Sequence, residues 1–202
     1  MFRLSFQIIA ATLLLSVFCL TSFAQQNKYL EKLLDKAENG NADAQYVLGV
    51  MYDKSIGVLK DNKKAFYWYK KSAEQGHAAS QYCLGCFYQD RKGIKKNLDM
   101  SFYWIRKSAE QGDAKAQAML GMMYSNGNVV RTDFKKAFYW YKKSAEQGGR
   151  DAGIQGVLGA MYCYGLGTER NFQEAKYWTN KAYQNGNPLA KKYWDKFKLW
   201  KY

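Results

Sequence analysis

The sequence predicts an all-α solenoid built from about four helical hairpins. A segment of 14 residues, KKAFYWYKKSAEQG, occurs without change at 63–76 and again at 135–148. Tryptophans and Leu-Gly pairs recur with the same spacing of 36, 36 and 38 residues. Self-similarity at a fixed period of this length is typical of repeat arrays, in which each unit packs on its neighbours. The recurring residues are Trp68, Trp104, Trp140 and Trp178, and the pairs that begin at Leu48, Leu84, Leu120 and Leu158.

The first 24 residues have the pattern of a signal peptide. One positive charge, Arg3, precedes an apolar run of about 13 residues that ends at Leu20, and Ser22 and Ala24 place small residues at the −3 and −1 positions of a cleavage site. The run is shorter than the roughly 20 residues that span a bilayer, so a permanent anchor is the less favoured interpretation. We expect cleavage after Ala24, a periplasmic or secreted location, and no stable membrane insertion of the mature chain.

Each repeat is predicted to contain two helices. In the first repeat, Asn41 is the expected N-cap of a helix with an apolar face, and Asp61 is the expected N-cap of a second helix that ends at Gly76. The apolar face of the second helix includes Trp68, whereas Tyr67 and the flanking lysines fall on the opposite, solvated face. The equivalent second-helix caps in the later repeats are Asn97, Asp133 and Asn171.

The ends of the array have helices that would cover the stack. Lys28 to Glu38 is predicted to form a helix before the first repeat, and Pro188 is predicted to begin a final one. Gly149 and Arg150 lengthen the loop before the fourth repeat. We interpret the mature chain as one domain, residues 26–202, with repeats at 41–76, 77–112, 113–148 and 149–186 and a capping helix at 188–201.

Units such as NADAQYVLGVMYDKSIGVLKDNKKAFYWYKKSAEQG resemble the Sel1-like repeat, a relative of the tetratricopeptide repeat. The blocks A-x-x-x-LG-x-x-Y and KA-x-x-WY-x-K-x-AEQG carry the resemblance over residues 41–186. It implies a right-handed αα-hairpin solenoid in which the first helix of each repeat lines a concave face. Ser101, Val129 and Thr179 depart from the family pattern, which has alanine, a turn glycine and tyrosine at these positions.

The composition favours an acidic partner. The chain has 31 basic and 17 acidic residues and a formal charge of +14, and removal of Arg3 would leave +13. Such a charge attracts nucleic acid, anionic surfaces or acidic proteins. Export disfavours nucleic acid, so we expect another protein as the partner, with a peptidoglycan or anionic-surface binder as an alternative.

Few residues are suited to catalysis, and we predict no enzyme, cofactor or metal site. His77 is the only histidine and lies at a cap position, without a second histidine for a relay or metal site. Cys83 and Cys86 have redox-pair spacing, but they lie in mid-helix and align with apolar residues of other repeats, so apolar packing is favoured. The family's cysteine-rich secreted branch implies β-lactamase-like or penicillin-binding activity as an alternative. Most repeats here lack its cysteine at the end of the second helix.

The candidate binding residues lie off the apolar stripe of the first helices, where the repeats differ from one another. In the fourth repeat these positions are Gly156, Ala160 and Cys163. Tyrosine and methionine give contact area at low entropic cost or with adaptability. The alternative is that these residues pack against neighbouring first helices. The predicted concave-face residues are Tyr46, Val50, Asp53, Tyr82, Cys86, Gln89, Met122 and Ser125.

The predicted function is therefore that of an exported, monomeric scaffold or adaptor that binds protein. The family resemblance implies roles in envelope or host-interaction systems. It also implies immunity proteins that neutralise toxic effectors in the periplasm. A basic array with a concave groove could mask an acidic effector of this kind by charge complementarity.

Overall fold

The structure, a computed structural model, describes residues 25–90 except residue 26, 93–147 and 151–202. The predicted signal peptide and the insertion at Gly149 and Arg150 lie outside the described residues. The described residues form ten α-helices, one short 3-10 helix and no strand. The all-α prediction and the arrangement in repeated helical hairpins are confirmed.

The hairpin helices are regular. The first eight helices after α1 are each 13 residues long, and equivalent helices begin 36, 36 and 38 residues apart. The helices are α1 (27–38), α2 (Ala42–Lys54), α3 (Asn62–Glu74), α4 (Ala78–Asp90), α5 (Leu98–Glu110), α6 (Ala114–Asn126), α7 (Phe134–Glu146), α8 (Ala152–Tyr164), α9 (Phe172–Gln184) and α10 (Leu189–Lys196), followed by the 3-10 helix Leu199–Lys201.

The chain divides into two compact units, one ending at Ser72 and one beginning at Ala73. In the first unit, α1 and α2 pack around Leu33, Ala37 and Leu48, with Trp68 of α3 closing the cluster. In the second unit, one cluster joins α5 to α6 and another joins α7, α8, α9 and the C-terminal segment. The interpretation of residues 26–202 as a single domain remains a prediction.

The predicted caps hold the starts of the helices. The backbone N–H of Ala44 donates to Asn41 Oδ1 at 2.8 Å, and that of Lys64 donates to Asp61 Oδ1 at 3.0 Å. Each cap satisfies an amide of the first turn that has no partner within its helix. His77 does the same with a ring nitrogen, since Nδ1 accepts from the backbone N–H of Ser80 at 3.1 Å. Asn97, Asp133 and Asn171 cap the remaining second helices.

A buried glutamine ties each first helix to the elements beside it. Gln117 Nε2 donates to the carbonyl of Ala109 at 3.2 Å, while its Oε1 accepts from Gln147 Nε2 at 2.8 Å. In the first unit Gln45 donates to the carbonyl of Ala37 at 2.9 Å. These bonds give a second donor to carbonyls at a helix C-terminus, which also accept from the backbone N–H of the glycine that follows the helix. They explain the glutamine that follows the first alanine of each first helix by three residues and the glutamine of the AEQG block, neither of which was given a role from the sequence.

The C-terminal segment differs from the single helix expected over 188–201. Helix α10 ends at Lys196, and Lys198 has a φ of +49°, which turns the chain into the 3-10 helix. This turn buries Leu199 completely and leaves Trp200 half exposed. The predicted capping helix therefore does not continue through Trp200, because the left-handed backbone of Lys198 interrupts it.

Candidate protein-binding surface

In the first unit, two of the predicted residues line an open pocket. Tyr46 and Val50 lie half-buried on α2, and together with Tyr29 and Ile56 they border a pocket of about 350 Å³. Asp53, on the same helix, is only 6% exposed, and its Oδ2 lies 2.9 Å from Lys54 Nζ. Asp53 therefore offers little surface to a partner.

On α4, the predicted residues also serve packing within the second unit. Tyr82 and Cys86 are half-buried against the cluster that contains Ile105 and Leu120. Desolvation by this burial raises the pKa of the Tyr82 hydroxyl above its usual value, with further contributions from Cys86 and Cys83. The packing of Tyr82 and Cys86 against a cluster that includes residues of α6 is the alternative to partner binding that the sequence left open. Gln89, near the end of α4, is half-buried.

On α6, Met122 is exposed and Ser125 borders a larger depression. Ser125 Oγ donates to the Met122 carbonyl at 3.0 Å and lies 3.2 Å from the Tyr141 hydroxyl. The depression, named here the α8 groove, has a volume of about 490 Å³ and no charged residue in its lining. Its lining is Ser125, Asn126, Phe134, Tyr141, Gly153, Gly156, Val157, Ala160, Met161, Leu166, Asn187, Leu189 and Tyr193.

The floor of the α8 groove is open because the fourth repeat has small residues there. Helix α8 contributes Gly153, Gly156 and Ala160. The preceding repeat has Lys115, Ala118 and Met122 at these positions, and the first repeat has Asp43, Tyr46 and Val50. The groove therefore arises from a departure of one repeat from the others, and not from the repeated scaffold.

Exposed apolar side chains form the walls of the α8 groove: Phe134, Val157, Leu166 and Leu189. Leu166 is held beside α7 because the backbone of the next residue, Gly167, approaches the Phe134 carbonyl so closely that a Cβ would overlap it. At the other end, Asn187 Nδ2 donates to the Ala152 carbonyl at 2.9 Å, and Asn187 Oδ1 accepts from the backbone N–H of Leu189 at 3.0 Å.

The outer side of the second helices carries tyrosines covered by lysines. In the second unit, Lys107 Nζ lies 4.9 Å from the centre of the Tyr103 ring, and Lys143 Nζ lies 5.0 Å from that of Tyr139. Tyr103 also meets Trp104 edge to face. The lysine stems thus cover aromatic surface while their ammonium groups remain in water. This arrangement agrees with the solvated face predicted from the sequence.

Cys163 is fully buried in the cluster of α8 and α9 that includes Leu199. It was expected off the stripe, on the binding face, and this expectation is wrong because its side chain is enclosed within this cluster. Burial raises the pKa of its thiol to about 11. Within the described ranges, no group of three or more His, Cys, Asp or Glu side chains is placed to hold a metal ion.

No helix in the described part of the chain is long and apolar enough to cross a membrane.

Comparison with known proteins identifies the repeats. The curated Sel1-repeat-containing protein YbeQ of Escherichia coli (strain K12) is 42% identical over 54 residues, which are 26% of this chain and 17% of YbeQ. The crystal structure of c5321, a protective antigen present in uropathogenic Escherichia coli strains and displaying an SLR fold, is 35% identical with a TM-score of 0.73. A Sel1 repeat protein from Oxalobacter formigenes is 31% identical with a TM-score of 0.76.

The two crystallised proteins are longer than this chain. The alignment with c5321 covers 80% of this chain and 34% of that protein, and the alignment with the Oxalobacter protein covers 84% and 49%. The model of the Sel1 repeat matches four segments, 42–77, 78–113, 114–149 and 156–187, which together make up more than half of the sequence. The chain therefore belongs to the Sel1 repeat family.

Proposed function

We propose that this protein is an exported scaffold that binds another protein, and that the α8 groove is its principal contact. The observation that carries the proposal is a groove of about 490 Å³ with four exposed apolar side chains and no charged lining residue. Exposed apolar patches of this kind mark interaction sites on soluble domains. Arrays of this family typically act in protein–protein interaction and are generally non-enzymatic scaffolds.

The predicted first-helix residues extend this contact. Met122 is exposed one turn before Ser125, which itself borders the α8 groove. In the first unit, Tyr46 and Val50 provide a separate apolar contact. Discrimination between partners depends on these positions because the repeated residues, which are engaged in packing, maintain the scaffold.

The partner in this proposal is acidic, and the specific role is that of a periplasmic immunity protein that neutralises a toxic effector. The formal charge of +14 supports an acidic partner, since complementary charge speeds encounter. The signal-peptide pattern of residues 1–24 supports export. Amino-terminal sequencing of the exported form should begin at Gln25, and an intact amino terminus confined to the cytoplasm would contradict export.

Photo-crosslinking in the native cells tests the contact. A benzophenone amino acid at Val157 should give adducts with one or a few proteins of the envelope fraction. The matched control is Leu59, an aliphatic residue that is 89% exposed and lies outside the groove. Equal adducts from both positions, or none from Val157, would contradict the proposal. Adducts with glycan alone would favour the alternative function, in which the protein binds peptidoglycan.

A further inference from the structure

We infer that the α8 groove accepts an amphipathic α-helix of the partner and not an extended segment. This inference rests on the proposed function and adds the form of the element that is bound. It follows from which groups of the lining are already engaged, from the length of the small-residue floor and from a positive charge on α10, the helix that contributes Tyr193 to the lining.

Most of the polar side chains in the lining already form a hydrogen bond within the protein. Ser125 Oγ donates to the Met122 carbonyl, and the Tyr141 hydroxyl lies 3.2 Å from Ser125 Oγ. Both side-chain atoms of the Asn187 amide are used, one with the Ala152 carbonyl and the other with the Leu189 amide. The floor is helix α8, whose backbone groups bond along the helix. The groove therefore presents mainly apolar surface.

An extended segment would be poorly satisfied in such a groove. Its backbone N–H and C=O groups would lose water without gaining partners, and each unsatisfied buried group costs free energy. An α-helix satisfies its backbone internally and offers an apolar face instead. The lining thus selects a helix as the element that can enter.

The floor sets the length of the contact. Gly153, Gly156 and Ala160 lie at i, i+3 and i+7 on α8, which is two helical turns or about 10 Å. Residues without large side chains let a second helix approach closely. The bound helix should therefore contact the groove with apolar residues at i, i+3 or i+4, and i+7, and these residues meet Phe134, Val157 and Leu189 on the walls.

The helix that contributes Tyr193 to the lining, α10, carries a positive charge one turn later, at Lys196. Tyr193, a lining residue, has its ring 6.4 Å from that of Tyr164, whose hydroxyl lies 2.8 Å from Lys196 Nζ. The Lys196 ammonium is charged at neutral pH as in any exposed lysine, and the hydrogen bond to Tyr164 raises its pKa further. An acidic residue next to the apolar face of the bound helix would complement this charge.

Selection from a random library of displayed 16-residue peptides tests the inference. Sequences enriched on the full mature chain should have apolar residues with a helical period of 3.6 and an acidic residue beside them. Proline placed in the middle of an enriched peptide should reduce its affinity at least tenfold. Enrichment with a period of two, tolerance of the proline, or no enrichment would overturn the inference.

Two matched variants assign the binding to the groove. Val157→Arg, at a partly exposed position on the wall, should reduce the affinity of the enriched peptides at least tenfold, whereas Leu59→Arg should leave it within twofold. Peptides that bind both variants equally would overturn the site. The benzophenone at position 157 could crosslink to a protein while the enriched peptides have apolar residues with a period of two. The proposed function would then stand, and only the inference that the bound element is a helix would be wrong.

Discussion

At the scale of single residues, Ser101 is a departure from the repeat that costs stability. Its side chain is fully buried, and Oγ has no hydrogen-bond partner among the described residues. The other repeats have alanine here, equally buried, at Ala65, Ala137 and Ala175. The departure noted in the sequence thus leaves a buried hydroxyl unsatisfied.

We predict that Ser101→Ala raises the free energy of unfolding by about 1 kcal/mol, because it removes the desolvated hydroxyl and leaves the packing unchanged. Urea titration of the two proteins measures the difference. The reverse change at an equivalent site, Ala137→Ser, is the control and should lower stability. A Ser101→Ala protein with an unchanged or lower midpoint would mean that the hydroxyl has a partner.

The indole N–H of Trp104 is a second unsatisfied group, although the equivalent tryptophan of the fourth repeat has a hydrogen-bond partner. Its Nε1 is buried without a hydrogen-bond partner in the described part of the chain, whereas Trp178 Nε1 donates to Glu174 Oε2 at 3.1 Å. Glu174 lies four residues before its tryptophan, and Met100 occupies the equivalent position before Trp104. Only the fourth repeat has an acidic residue there.

Met100→Glu should therefore stabilise the protein by about 1 kcal/mol. The new carboxylate would accept from the Trp104 indole and would also lie in the first turn of α5, where negative charge is favourable. Met100→Leu, which offers no acceptor, is the control. If thermal unfolding shows the same shift for both variants, the indole gains nothing from the carboxylate.

At the scale of elements, Gln117 joins three helices of the second unit. It lies on α6, donates to the end of α5 and accepts from Gln147 after α7. We predict that Gln117→Leu lowers the free energy of unfolding by about 2 kcal/mol, because two hydrogen bonds between helices are lost together. Gln147→Leu should cost less, since Gln147 itself is exposed. In a urea double-mutant cycle the two changes should not be additive, and full additivity would contradict the network.

The sequence was sufficient for the helices because each boundary depends on local chemistry. The caps Asn41, Asp61 and Asp113 accept backbone hydrogen bonds in their own first turns, and Gly76 has a φ of +94° at the end of its helix. Such signals act over three or four residues, and the 36-residue period repeats them.

The candidate surface was only partly predictable because it depends on contacts between repeats. Ser125 was predicted and borders the α8 groove, but its wall at Leu166 requires the close approach of Gly167 to the Phe134 carbonyl. Cys163 was placed on the binding face, yet it is buried in the cluster that α7, α8, α9 and the C-terminal segment form together. Neither long-range contact follows from the spacing of residues within one repeat.

At the scale of the whole molecule, charge and groove should affect different steps of binding. The chain has a formal charge of +14, and the lysines on the second helices are exposed with their stems over aromatic rings. Scattered surface charge acts over about 10 Å at 0.1 M salt and mainly steers encounter. Contacts in a desolvated apolar groove act after encounter and hold the complex together.

A variant in which four lysines are changed to Gln should distinguish the effect of charge on association from the effect of the groove on dissociation. The four are Lys70, Lys71, Lys142 and Lys143. The partner for this test is the protein that crosslinks to the benzophenone at position 157. The lysine variant should associate with it about tenfold more slowly at low salt, and the difference in association rate should shrink as salt is raised. Its dissociation rate should stay within twofold, because the groove is intact. Val157→Arg should do the opposite, raising the dissociation rate at least tenfold with little change in association. Surface plasmon resonance at two salt concentrations measures both rates, with circular dichroism as the control for folding. If the lysine variant alone abolishes binding at high salt, the lysine-bearing face of the second helices is the contact and the groove is not.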